Sequence, residues 1–108
     1  METRVPQAWQ VKRRRDSQYA AAARIFDFIA RCWAYADDDG VRKQDLLDTA
    51  GAWSQGEYIL VRIALDLYDP GCVIEHGHSS ANVGEIAGAL DDRFYNVYQD
   101  AMRLARAG

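Results

Sequence analysis

The chain has 108 residues, 49% of them hydrophobic, 27% charged and 11% aromatic, and a formal net charge of minus 3. That length holds one domain and excludes a second core, while the apolar and charged fractions exclude wholesale disorder. The charge is uneven: residues 1–15 carry plus 4, through Arg4, Lys12, Arg13, Arg14 and Arg15 against Glu2, and the other 93 residues carry minus 7, so arm and body have different partners or complement each other.

Residues 1–15, with Pro6 and only Val5, Trp9 and Val11 as bulky apolar anchors, read as a mobile or loosely docked arm. From Ser17 to Ala36 the pattern is helical: Asp16 or Ser17 can cap, and Ala20 to Ala23 supply propensity. Polar residues interrupt it only at Arg24, Asp27 and Arg31, a narrow stripe on an otherwise apolar cylinder that must be largely surrounded. Asp37, Asp38, Asp39 and Gly40 stop that helix, and a shorter one runs from about Arg42 to Thr49 with Leu46 and Leu47 inward. Beyond Gly51, Ser54 and Glu57 have the spacing of a capping box. They open a helix over Gln55–Tyr68 whose one polar stripe is Arg62, Asp66 and Asp69. Asp69, Pro70 and Gly71 end it, and residues 72–81 read as an irregular connection. Asn82 with Glu85 forms a second capping box for a short helix through Ala89. Asp91 or Asp92 then starts an amphipathic helix to about residue 107, with Phe94, Val97, Tyr98, Ala101, Met102 and Ala105 on its apolar face.

These elements predict an all-α fold, a compact bundle of four to five helices (residues 16–108) behind a short basic N-terminal arm (residues 1–15). No stretch reaches the roughly 18 apolar residues of a membrane span, and the N-terminus lacks an apolar leader, which gives a cytoplasmic expectation. Cys32 and Cys72 make one pair at most, and a cytosolic chain keeps both reduced.

Residues 83–108 fit the spacing of a helix-turn-helix. Ile86, Ala87, Leu90 and Val97 take its apolar and small positions, which would turn Arg93, Tyr95, Asn96, Gln99 and Arg103 toward a groove. Against it, Asp91 stands where glycine usually makes the turn, and Asp92 and Glu85 add carboxylates where phosphates would approach. The run Lys12-Arg13-Arg14-Arg15 suits a minor groove, RNA or an acidic protein, or else serves as a solubilising tail or complements the Asp groups of the body. Cys72, Glu75, His76 and His78 are chemically fit for zinc, but no second ligand cluster completes a site. Asp37-Asp38-Asp39-Gly40 lacks both ends of a calcium loop, with Tyr35 and Leu46 at its first and last ligand positions. Ser79 and Ser80 beside two histidines lack an elbow motif or an orienting carboxylate. No catalytic, metal or cofactor assignment follows.

The sequence Trp53-Ser54-Gln55-Gly56-Glu57, then Leu60, Ala64 and Leu67, and later Leu90-Asp91-Asp92 with Val97, Ala101 and Arg106, resembles small uncharacterised helical proteins of actinobacteria and their phages, over residues 53–108. The resemblance implies a bacterial or phage cytosolic setting and a helix-start role for Asp91-Asp92; it implies no activity.

The expected function is a non-enzymatic interaction or regulatory protein that binds another protein, host or self, through an apolar helical face. Two nearly all-round apolar helices are more than so short a chain has material to cover. Phe28, Trp33 and Tyr35 are the expected contact residues, with homo-oligomerisation as the simplest variant. The alternative is a DNA-binding regulator using Arg93, Asn96, Gln99 and Arg103 with Lys12, Arg13, Arg14 and Arg15.

Overall fold

The computed structural model describes residues 4–107. In chain order they form α1 (Gln7–Lys12), α2 (Ser17–Phe28), a 3-10 helix (Ala30–Tyr35), the two-residue strands β1 (Ala36–Asp37) and β2 (Gly40–Val41), α3 (Lys43–Ala50), α4 (Gln55–Tyr68), α5 (Cys72–Glu75), α6 (Val83–Ala89) and α7 (Asp92–Arg106). The fold is all-α, with β1 and β2 pairing antiparallel as a minimal hairpin.

Local chemistry sets most boundaries. The Asp16 carboxylate accepts from the amides of Gln18 and Tyr19, which caps α2. Complete capping boxes open α4 (Ser54 with Glu57) and α6 (Asn82 with Glu85), and Asp91 accepts from Phe94 N–H to start α7. Gly40 takes a φ of +146°, and a Cβ there would lie 2.8 Å from the Tyr68 hydroxyl, so the hairpin turn needs glycine twice over.

The helix expected to run unbroken from Ser17 to Ala36 instead turns at Ile29, whose ψ of 74° leaves helical space, and continues as the 3-10 helix. No glycine or proline marks this break; tertiary packing decides it. The Trp33 indole N–H donates to Asp27 (3.2 Å) and its ring meets Phe26 edge-on at 5.2 Å.

The core lies between α2 and α4, with α7 packed along α2 and in contact with α4 as well. Ala21, Ala22 and Ala23 are fully buried, so neighbouring helices approach α2 closely. Antiparallel pairing of α2 and α7 shows in the residues that meet: Phe28 with Phe94, and Arg24 with Asp100.

The loosely docked arm expected over residues 1–15 is corrected where it is described: residues 7–12 form α1, and Trp9 is only 1% exposed. Its ring lies 4.8 to 5.9 Å from those of Tyr19, Phe26, Trp33 and Tyr68, the centre of an aromatic cluster. Asp38, from the hairpin turn, accepts from Ala8 N–H and satisfies the start of α1. Residues 1–3 of the expected arm lie outside the described residues.

The two polar stripes also differ from expectation, being attachment lines for the covering elements rather than wet seams. On α2, Arg24 pairs with Asp100 of α7 and Asp27 with Arg13, and on the 3-10 helix that follows Arg31 pairs with Glu57 of α4. On α4, Arg62 pairs with Glu85 of α6 and Asp66 accepts from Ser80, and just past its end Asp69 pairs with Lys43 of α3. The surplus apolar surface that motivated an external partner is covered from within the chain.

Candidate interaction surface

Of the residues expected to contact a protein, Trp33 is 3% exposed and joins the core, which removes it from any surface. Phe28 is half-buried under Phe94 (5.0 Å, edge-on) and the Arg93 guanidinium (5.1 Å). Tyr35 is half-buried, with the Arg42 guanidinium 5.6 Å from its ring centre. The three form no continuous apolar face, so the basis for self-association through them is lost.

The residues assigned to nucleic acid are also divided. Arg93 is occupied by the two phenylalanine rings at the start of α7, whereas Arg103 stands near its end and pairs with Asp100. Asn96 and Gln99 are exposed between them on the outer face. The apolar side of α7, Val97 and Ala101, packs on α2, while α6 makes its main helix contact with α4. In a helix-turn-helix the two helices pack on one another, and here α6 and α7 are committed elsewhere. Glu85, expected to repel phosphates, is instead tied to the buried Arg62 at 2.5 Å, and this bond holds its carboxyl below the usual carboxylate range.

Lys12 sits over the Tyr19 ring (5.1 Å) and Arg13 pairs with Asp27 (2.6 Å), so half of the basic run is engaged. Arg14 and Arg15 are exposed and make no ion pair among the described residues. Because α7 runs antiparallel to α2, its last turns arrive beside them. Arg14, Arg15, Ser17 and Ala20 share an open depression of about 200 Å³ with Leu104 and Ala107. A larger one, about 420 Å³, continues from Leu104 and Ala107 to Arg24, Asp100 and Arg103. On the other flank of α7, Tyr98, Met102 and Arg106 line a third.

One end of the molecule therefore gathers six arginines (13, 14, 15, 24, 103 and 106) against three aspartates (16, 27 and 100). All three carboxylates are in use: Asp16 caps α2, Asp27 holds Arg13 and the Trp33 indole, and Asp100 bridges Arg24 and Arg103. Leu104, 38% exposed, lines both depressions beside Arg14, Arg15, Arg24 and Arg103. Sequence reasoning missed this arrangement. Arg103 and Arg106 are readable as neighbours on one helix, but their meeting with Arg14 and Arg15 depends on how α7 is laid down.

A second polar cluster lies around the 76–82 loop. The Tyr58 hydroxyl donates to His78 Nδ1 (2.5 Å), which leaves the ring proton on Nε2 to donate to Asp48 (2.8 Å). The His78 bond keeps the Asp48 carboxyl below its ordinary value. In such an array the carboxylate orients the imidazole, and here the same bonds fasten the loop, together with Gln44 to His76 O and Arg62 to Ser79 O. The residues weighed as metal ligands diverge: the Cys72 thiol donates to Leu65 O, His76 Nδ1 lies 2.7 Å from Cys72 O, and Glu75 is exposed. Both cysteines are free and buried, and burial pushes the Cys32 thiol up to about 12 and the Cys72 thiol to about 11.

No helix among the described residues is long and apolar enough to cross a membrane. No family model, curated protein or solved structure matches the chain.

Proposed function

We propose that this chain is a non-enzymatic interaction protein that binds another protein, and that the contact is the arginine-rich end formed by the α1–α2 turn and the last turns of α7. The observation that carries this reading is the surplus of arginines over carboxylates around exposed Leu104. Arginine, tyrosine and methionine are the side chains most enriched where proteins meet, and Tyr98 and Met102 stand beside Arg106 on the adjoining flank. The apolar girth of α2 and α4 no longer supports the reading; the basic end replaces it.

The test compares wild type with the combined Arg14→Glu, Arg15→Glu and Arg106→Glu variant, both immobilised and exposed to bacterial lysate. The substituted residues are exposed, so the variant folds, which circular dichroism checks. The expected result is a saturable protein partner retained by wild type and lost by the variant. No partner on wild type, or equal retention by both, contradicts the reading.

One observation favours a second reading, a regulator that touches DNA. Arg14 and Arg15 stand at the same end as Arg103 and Arg106, so arm and α7 can face one phosphate backbone together. A gel shift on genomic fragments separates the two. Retardation that falls steeply with salt supports DNA binding, and none at low salt removes it.

A further inference from the structure

Building on the reading of the basic end as a protein-binding surface, we infer that its partner is an acidic amphipathic helix, one that sets carboxylates around a leucine-type anchor on a single face. Charge is the first argument. The end carries a surplus of three positive charges while the whole chain is minus 3, so the remainder of the molecule carries minus 6. At physiological salt, charges are felt over about 8 Å. A short ligand seated on this end meets mainly the arginines, whereas a long polyanion runs on past the acidic body.

Side-chain type is the second argument. All six cations are arginines, whose planar forks engage a carboxylate through two parallel hydrogen bonds. Three of them (14, 15 and 106) make no ion pair among the described residues; Arg14 and Arg15 line the groove with Leu104, and Arg106 stands on the other flank of α7. The floor is the third. Leu104, Ala107 and Ala20 give the joined depressions an apolar base that a phosphodiester backbone has no group to fill, and an apolar side chain placed among carboxylates fills it. The groove follows α7 from Asp100 to Ala107, which at 1.5 Å per residue is about 10 Å, the length of two helical turns. A helix laid along it presents residues at spacings of three and four to the same floor.

The probe is a fluorescein-labelled synthetic peptide of about 14 residues, with leucines and glutamates at helical spacing on an alanine scaffold. Its controls are polyglutamate of equal length, a short DNA duplex and anionic phospholipid vesicles, all read by fluorescence anisotropy or co-sedimentation at physiological salt. The expected result is saturable micromolar binding of the peptide, at least tenfold weaker binding of polyglutamate, and loss of peptide binding in the Arg14→Glu/Arg15→Glu/Arg106→Glu variant. Leu104→Ser, a change at an exposed position, is expected to weaken the peptide several-fold and leave polyglutamate unaffected. The inference is overturned if polyglutamate matches the peptide, if DNA or vesicles bind more tightly, or if nothing saturates. Should lysate capture depend on the three arginines while this peptide is ignored, protein binding stands and the acidic helix falls; should both fail, both fall.

Discussion

Trp9 shows how much one side chain can decide in a chain of this size. It lies in a segment whose sequence is basic and without hydrophobic period, and a lone tryptophan there carries no signal of burial. The fold nevertheless closes around it, with four aromatic rings within 6 Å of its own. Trp9→Ala is expected to lower unfolding stability by about 3–5 kcal/mol, as for other large-to-small core changes; a urea midpoint close to wild type contradicts this. Gly56 makes the complementary point on the α4–α7 contact, where the Phe94 ring occupies the space a side chain at residue 56 would need. A Cβ at residue 56 would stand 2.8 Å from Phe94 Cδ2, so Gly56→Ala should displace that ring and cost about 1–3 kcal/mol despite its gain in helix propensity. Unchanged or raised stability in thermal denaturation would show that Phe94 moves aside freely.

Among the elements, those governed by local rules were legible and those governed by packing were not. The starts of α2, α4, α6 and α7 each rest on a side chain that reaches an amide two or three residues on, and Asp16, Ser54, Asn82 and Asp91 are readable at that distance. The turn at Ile29 and the short α1 and α5 rest on contacts far along the chain, which periodicity does not encode. The polar stripes were legible as stripes but not as seams closed by α6, α7 and the loop before α6. Arg62 is the strictest case, a guanidinium at 5% side-chain exposure whose partner Glu85 comes from α6. Removing that partner's charge leaves a buried cation uncompensated. Because Glu85 is partly exposed and glutamine keeps the capping box, Glu85→Gln is expected to cost about 2 kcal/mol at neutral pH. Arg62 holds the Glu85 carboxyl below its usual value, so the folded chain keeps it ionised to lower pH than the unfolded chain does. The stabilisation is whole above about pH 4.3 and is lost as pH falls through the folded value. Wild type and Glu85→Gln should therefore converge in melting temperature as the solution is acidified below that point; curves that stay parallel would show that the ion pair contributes nothing.

At the scale of the whole molecule, two helices that looked too apolar for 108 residues are enclosed by the chain's own α1, α6 and α7. What remains open carries single apolar side chains, Val11, Ile74, Val83, Tyr95 and Leu104, on a surface asymmetric in charge, an arginine end on an acidic body. The charge asymmetry between the N-terminal run and the body was readable from sequence; the enclosure of the two helices and the meeting of the two arginine groups were not. The basic run is more than 80 residues from Arg103 and Arg106, and they meet because α7 returns antiparallel along α2 and places Leu104 and Ala107 beside Arg14 and Arg15. The phenylalanine, tryptophan and tyrosine expected to form a docking face are the residues that this return and the α2 turn bury or half-bury.

The most direct test of recognition at the basic end is a map of amide chemical shifts in isotope-labelled protein titrated with the acidic amphipathic peptide. Shifts concentrated in residues 13–24 and 98–107, with Phe28, Trp33, Tyr35 and the 76–82 loop unmoved, are the predicted result. Shifts centred on Phe28 to Tyr35 or on the loop, with the arginine end silent, would contradict it.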